Sequence, residues 1–285
     1  MNQTKITTLT LASVVISLLS GIIVPPALAQ TDPANSAAAA LSKLADDLQN
    51  PVGNLISVPI QNRWDFGIGP ADAMRYTVNI QPVIPFELSD DWSVIARTIV
   101  PTIYAESPTA GGANKSGLGD VLQTFFFSPK EKVNGWILGA GPVLSWPTAS
   151  EGALGSGKFG AGPSVIIFHQ ANGLTYGLLA NHVWSYAGWG DQSVSATLLQ
   201  PIIAYRTKSF TTFSFKMEST YNWPEQQWTA SITPGLSQLI KIGKQPVSIG
   251  LGLRHYLAKP AGGPDRGMDF TITFPFPKCG RTDNL

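Results

Sequence analysis

The segment Gly267-Met268-Asp269-Phe270-Thr271-Ile272-Thr273-Phe274-Pro275-Phe276-Pro277 decides how the chain is read. Met268, Phe270, Ile272, Phe274 and Phe276 alternate strictly with Asp269, Thr271 and Thr273. A helix cannot gather that set on one side, whereas a strand turns successive side chains to opposite faces. One face is therefore aromatic and aliphatic, and the other carries a carboxylate and hydroxyls. If such segments recur with alternating short and long connections behind a secretion signal, the apolar face meets lipid and the chain is an all-β transmembrane antiparallel barrel.

Working outward, the pattern recurs. About twelve strand candidates follow at regular spacing: 54–68, 74–88, 92–105, 117–129, 135–148, 158–169, 174–187, 194–206, 210–223, 228–241, 246–258 and 267–277. An even number lets an antiparallel sheet close with both ends on one side. The connections at 89–91, 130–134, 170–173, 207–209 and 242–245 are short, and those between them are mostly longer, which puts both termini in the periplasm. Strands of this length exceed the five or six residues usual in soluble sheets. Aromatics near strand ends (Trp92, Tyr104, Trp136, Trp146, Trp184, Tyr186, Tyr221, Trp223, Trp228 and Tyr256) fit interfacial girdles.

Composition agrees. The 285 residues include 13% charged and 10% aromatic residues with 28 Gly and 22 Pro, too little charge for a typical soluble protein. Met1 to Ala29 has Lys5, an apolar run from Leu9 to Val24 and Ala27-Leu28-Ala29, the pattern of a cleaved secretory signal. No other stretch is long and apolar enough for a spanning helix. The expected organisation is a signal at 1–29, a periplasmic segment at 30–52, a barrel at 53–278 and a tail at 279–285. Within the periplasmic segment, Ser36 can cap a short helix with Leu41, Leu44 and Leu48 on one face. Cys279 is the lone cysteine, so no intrachain disulfide forms and closure of the sheet must supply stability.

Strand parity assigns the lumen. A Lys or Arg facing lipid at the bilayer midplane costs about 2–4 kcal/mol, which drives the charged parity inward. The expected lumen-lining residues are Arg63, Asp65, Arg75, Gln81, Arg97, Lys216, Glu218, Arg254 and Asp269. Symmetric hairpins would set Tyr256 opposite Asp269 with Arg254 diagonal, Asp65 opposite Thr77 with Arg75 diagonal, and Gln200 opposite Lys216. Near Ile95 and Leu122 the parity is mixed, since Arg97 shares a face with Ile95 and Ile99, so part of the lumen is apolar. Twelve tilted strands give a backbone radius of about 12 Å, roughly halved by side chains, a passage for small molecules only.

Other motifs carry no chemistry. Gly155-Ser156-Gly157-Lys158-Phe159-Gly160 fits a dinucleotide fingerprint literally, but a strand follows where phosphate binding needs a helix, so it reads as a loop. His169, His182 and His255 lie on separate strands without metal-ligand spacing, and no serine stands out as a nucleophile. The sequence thus points to no catalytic residue, metal or cofactor. Without Lys5 the basic and acidic side chains balance, which gives no basic face for nucleic acid.

Asn50-Pro51-Val52, Leu55-Ile56-Ser57-Val58-Pro59, Trp64-Asp65-Phe66-Gly67-Ile68-Gly69-Pro70, Asn79-Ile80-Gln81-Pro82-Val83-Ile84-Pro85, Gly117-Leu118-Gly119-Asp120, Pro246-Val247-Ser248, Gly262-Gly263-Pro264-Asp265 and Phe274-Pro275-Phe276-Pro277-Lys278 together resemble the outer-membrane protein family labelled for the meta-pathway of phenol degradation. Some of its members carry the label transporter, others the vertebrate peptide name neuromedin U. The resemblance implies an outer-membrane barrel that passes small hydrophobic or aromatic solutes, with membrane lipid and the barrel-assembly machinery as partners. Two rival expectations stand beside it: an outer-membrane enzyme acting on lipid, and a structural barrel with a plugged lumen.

Overall fold

A computed structural model describes residues 33–50, 53 and 55–276. The signal at 1–29, the tail at 279–285 and Cys279 lie outside the described residues. The described residues form a closed, antiparallel twelve-strand barrel with one helix. Helix α1 (Pro33–Leu48) precedes β1 (Ile56–Ile68), β2 (Ala73–Ile80), β3 (Val83–Glu87), β4 (Trp92–Ala105), β5 (Lys115–Leu118), β6 (Val121–Pro129), β7 (Trp136–Trp146), β8 (Lys158–Ala171), β9 (Leu174–Gly188), β10 (Ser195–Arg206), β11 (Thr211–Asn222), β12 (Gln227–Ile242), β13 (Gln245–Ala258) and β14 (Arg266–Phe276).

Fourteen segments make twelve staves because two expected strands are broken. The stave expected at 74–88 divides into β2 and β3 at Gln81-Pro82, where proline has no N–H to give the ladder. The stave expected at 117–129 divides into β5 and β6 at Gly119-Asp120. Both halves of each stave pair with β4. The segment that opened the reading closes the barrel: β14 pairs with β1 in unbroken register from Ile56 opposite Phe276 to Phe66 opposite Arg266. No sheet edge is left to aggregate.

Alternation sorts the surfaces as expected. Phe213, Phe215, Ile203, Leu251, Leu253 and Leu236 stand exposed on the outside, a belt that water would not tolerate and hydrocarbon would. Trp92, Trp136, Tyr176 and Tyr205 lie near the short turns, while Tyr104, Trp146, Trp184, Trp223 and Trp228 lie near the long loops. Those are two aromatic girdles. Tyr256 belongs to neither, because it shares the inner parity of β13 and its hydroxyl donates to Asp65 Oδ1 at 2.8 Å inside the barrel.

The glycine-rich loop is built around one carboxylate. Asp120, at the break in its stave, accepts bonds from the backbone N–H groups of Ala149, Ser156 and Gly157 and from Ser156 Oγ, at 2.6 to 3.1 Å. Backbone donors that in a nucleotide fold would face a phosphate are here consumed by the protein's own side chain.

Helix α1 sits in the mouth at the short-turn end. Its stripe of Leu41, Leu44, Ala45 and Leu48 packs on Leu55, Phe210 and Leu239. Asp46 accepts from Arg206 Nε at 2.8 Å and Nη2 at 3.1 Å, and its carbonyl accepts from Gln170 Nε2 at 2.8 Å. Gln49 Oε1 accepts from Thr175 Oγ1 at 2.9 Å. Apolar seating and polar clamps thus hold the helix against strands β8 to β12. The helix starts at Pro33, three residues ahead of the expected cap at Ser36; a proline suits the first turn, where its missing N–H has no partner to lose.

Candidate functional site: a lumen with one charged and one apolar wall

The charged wall comes from β1, β11, β13 and β14. Asp269 is its hub, taking Arg254 Nη2 at 2.8 and 3.0 Å on its two oxygens, with Gln61 Nε2 at 3.4 Å, Arg63 Nε at 3.5 Å and Lys216 Nζ at 3.8 Å. Glu218 is a second hub, approached by Arg63 Nη1 and Nη2 at 3.4 Å each, Gln200 Nε2 at 3.4 Å and Lys216 Nζ at 3.9 Å. Three cations share two carboxylates, and Arg63 Nε and Arg254 Nε are buried without a hydrogen bond. Removing either hub would strand charge in a place water reaches poorly.

The register brings this about and corrects three expected pairings. Arg63 lies opposite Asp269 across the closing seam. On β13 and β14, Gly252 and not Tyr256 faces Asp269, because the hairpin loop is asymmetric; Arg254 faces Gly267 and reaches Asp269 on the diagonal. In the first hairpin the turn and a bulge between Asp65 and Ile68 together set the pairing two residues from the symmetric register, so Asp65 faces Arg75 and Arg63 faces Thr77. Gln200 reaches Glu218 rather than Lys216, since β10 and β11 pair with Ile202 opposite Lys216. Arg75 has the inner parity of β2 but is exposed near the long-loop rim and makes no ion pair among the described residues. Asp65 is buried and bound by Tyr256.

The apolar wall comes from β4 and β6 to β9. Ile95 lies opposite Phe126, Ile137 opposite Phe168 and Ile166 opposite Leu179, and these six side chains form one buried cluster joined by Val83, Leu198 and Ile202. Arg97 stands among them, level with Val83 on one side and Thr124 on the other. Its Nη2 donates to Gln81 Oε1 at 2.9 Å, and Gln81 Nε2 donates to Gln61 Oε1 at 2.9 Å, which links the two walls.

Between the walls lies a cavity of about 730 Å³, floored by Asp47, Leu48 and Asn50 of the helix region and reaching Val183, Ala196 and Thr220 higher up. A neighbouring space of about 340 Å³ lies between the helix and β11 to β14. A chamber of this size with mixed lining suits small organic molecules.

On the lipid side, Ser195 Oγ lies 3.3 Å from His182 Nε2, and His182 Nδ1 lies 2.6 Å from Thr197 Oγ1, which accepts Trp223 Nε1 at 2.9 Å. His169 stacks with Tyr176 near the short-turn girdle, and His255 is exposed opposite Arg266. Spacing alone could not reveal the Ser195–His182 contact, which depends on the register of β9 and β10.

A closed twelve-strand antiparallel barrel with an apolar exterior is the architecture of outer-membrane β-barrels, and the solved structures agree. The chain is similar to the outer membrane channel from Pseudomonas putida F1, with a TM-score of 0.61 and 13% identity over 78% of this chain and 96% of that one. It is also similar to the NanC porin, with a TM-score of 0.50 and 12% identity over 78% of this chain and 98% of that one. No protein-family model and no curated protein matches the chain. These likenesses carry the fold; the phenol-degradation label stays a resemblance in the sequence motifs.

Proposed function

We propose that the protein is an outer-membrane conduit for passive passage of small, hydrophobic or aromatic solutes, with α1 as a stopper at its periplasmic mouth. The carrying observation is the lumen, in which an apolar wall and a charged wall enclose a chamber of about 730 Å³. A salt or sugar pore has no use for Phe126, Phe168 and Leu179 lining its chamber, whereas an aromatic solute loses water against them. Arg63, Lys216, Arg254, Glu218 and Asp269 narrow the opposite side with mixed charge, which favours small solutes and weak selectivity by sign. Secretion by a cleaved signal and insertion by the barrel-assembly machinery belong to this reading. Liposome swelling tests it: small aromatics should enter and trisaccharide-sized sugars should not. Free entry of the sugars would sink the narrow conduit, and exclusion of both would make the barrel a plugged scaffold.

One contact favours a second reading. His182, with Nδ1–H given to Thr197, would present Nε2 as a base to the Ser195 hydroxyl at the outer lipid boundary. If the protein hydrolyses lipid esters, purified barrel should release fatty acid from phospholipid vesicles, and Ser195→Ala should abolish the release. The conduit reading expects no release from either protein.

A further inference from the structure

Arg97 differs from the other cations of the inner lumen, Arg75 at the rim being exposed. Arg63, Lys216 and Arg254 each lie within ion-pair distance of Asp269 or Glu218. Among the described residues Arg97 has no carboxylate within 4.0 Å. Its one acceptor among the described residues is the neutral amide oxygen of Gln81. The guanidinium has five donors in a planar fork, and it lines the large cavity. Asp47, the carboxylate on the cavity floor, feels the ammonium groups of Lys43 and Lys132 beside it, and Glu218 is engaged by Arg63, Lys216 and Gln200.

Beyond Gln81 and Thr124, one side of the surroundings of Arg97 is apolar. Ile95 and Ile99 flank it on the inner face of β4, Val83 is level with it on β3, and Phe126 is the partner of Ile95 on β6. Phe168 and Leu179 continue this surface around the chamber. A guanidinium set in a largely apolar wall with no carboxylate in contact, and only Glu218 acting on it from beyond ion-pair distance, is costly, and a ligand that brings a carboxylate into contact recovers part of that cost. A carboxylate matches the fork with two parallel hydrogen bonds. Water or chloride could satisfy the charge but would leave the hydrophobic wall wet, whereas a neutral aromatic would cover the wall and leave the charge unmet.

We propose that the lumen holds a binding site for small amphipathic monocarboxylates, with the carboxylate on Arg97 and a compact apolar body against Phe126, Phe168 and Leu179. The site lies on the conduit proposed above, rests on that reading for its place in transport, and names its solute class. Gln81 is a positioning residue here, since its oxygen fixes one edge of the guanidinium and leaves the other toward the cavity.

The test is calorimetric titration of the purified full chain in detergent micelles with benzoate, benzyl alcohol and acetate, against empty micelles. Benzoate should bind at least tenfold more tightly than acetate, which lacks the apolar body, or benzyl alcohol, which lacks the charge. Arg97→Gln should weaken benzoate at least tenfold, and Arg97→Lys, which keeps charge without the fork, should fall between. Heat-modifiable migration on gels shows that each variant is folded, because an intact barrel resists unfolding in cold detergent. Equal binding of acetate and benzoate would mean an ion site only and would overturn the proposal, as would full benzoate affinity in Arg97→Gln. The conduit stands or falls separately: passage of benzyl alcohol with no benzoate binding keeps the conduit and removes the site, and benzoate binding in a barrel impermeable to small aromatics does the reverse.

Discussion

The two walls of the lumen are built by opposite logics. On β1, β11, β13 and β14 the longer inward side chains are polar and hold their places through specific partners, so Asp269 alone is approached by Arg254, Arg63, Lys216 and Gln61. On β4 and β6 to β9 the inward face instead gathers the cluster of Ile95, Phe126, Ile137, Ile166, Phe168 and Leu179, held by close packing. The charged wall is a set of mutual dependences in which one deletion exposes several others. The apolar wall is a sum of local burials, in which one deletion costs its own area and little more. A barrel that combined them only for stability would have no need of the chamber between.

The largest break should follow Asp269→Ala. The substitution leaves Arg254, whose side chain is 1% exposed, without its carboxylate and weakens the holds on Arg63 and Lys216. Removing one member of a buried ion pair costs about 3–5 kcal/mol, and urea unfolding followed by tryptophan fluorescence should register a loss of that order. Current through the variant in planar bilayers should also shift toward anions. A loss below about 1 kcal/mol would mean that water screens the charged wall as it does a surface pair. Phe126→Ala comes next. Phe126 is 1% exposed, and truncating a buried phenylalanine costs 3–5 kcal/mol, so a loss of about 3 kcal/mol is expected where the adjoining chamber lets water fill the gap. The contrast between the walls predicts that the double variant is additive.

The same contrast explains what the sequence could reveal. Where the lumen is polar, alternation shows in the residues themselves, as in β14 with Asp269 and Thr271 between Met268, Phe270 and Ile272. Twelve staves, closure and the inward set on β1, β11 and β13 follow from that. Where the lumen is apolar, both parities read alike, and β7 and β8 are visible only by length and turn signals. Pairing partners were the weakest inference, because register depends on the bulge after Asp65 and on the asymmetric loop before β14, neither of which leaves a residue signature. The role of α1 was equally hidden: Leu41, Leu44 and Leu48 announce an apolar face, but its seat on Leu239 and Phe210 and the clamp between Asp46 and Arg206 are long-range contacts.

A smaller effect is expected at that clamp, which ties the helix to the barrel end of β10. The Asp46 side chain is 36% exposed, so the pair contributes about 1 kcal/mol after screening. Arg206→Ala should therefore raise the undocked population of the helix about fivefold, seen as longer high-conductance dwell times in single-channel records. Dwell times that stay unchanged in Arg206→Ala and in a chain lacking residues 33–50 would show that the helix does not obstruct the lumen.

The smallest effect, with a definite sign in pH, concerns Asp47. Burial raises its carboxyl pKa above the ordinary 3.8, against the opposing pull of Lys43 and with a further push from neighbouring Asp46. The docked helix therefore holds this proton more tightly than the undocked helix does. The stabilisation is fully present below pH 3.8 and is lost as pH rises through the raised value, so at neutral pH the ionised Asp47 works against docking. Asp47→Asn should remove that opposition: at pH 7 its high-conductance dwell times should be shorter than the parent's, by less than Arg206→Ala lengthens them. Asp46 with its bond to Arg206, Lys43 and Lys132 surround position 47 in both proteins, so what they contribute is common to variant and parent. The quantity to follow is thus the ratio of dwell times between variant and parent. That ratio should approach one as pH falls toward 3.8, and a ratio independent of pH would show that the Asp47 carboxylate keeps its water when the helix is seated.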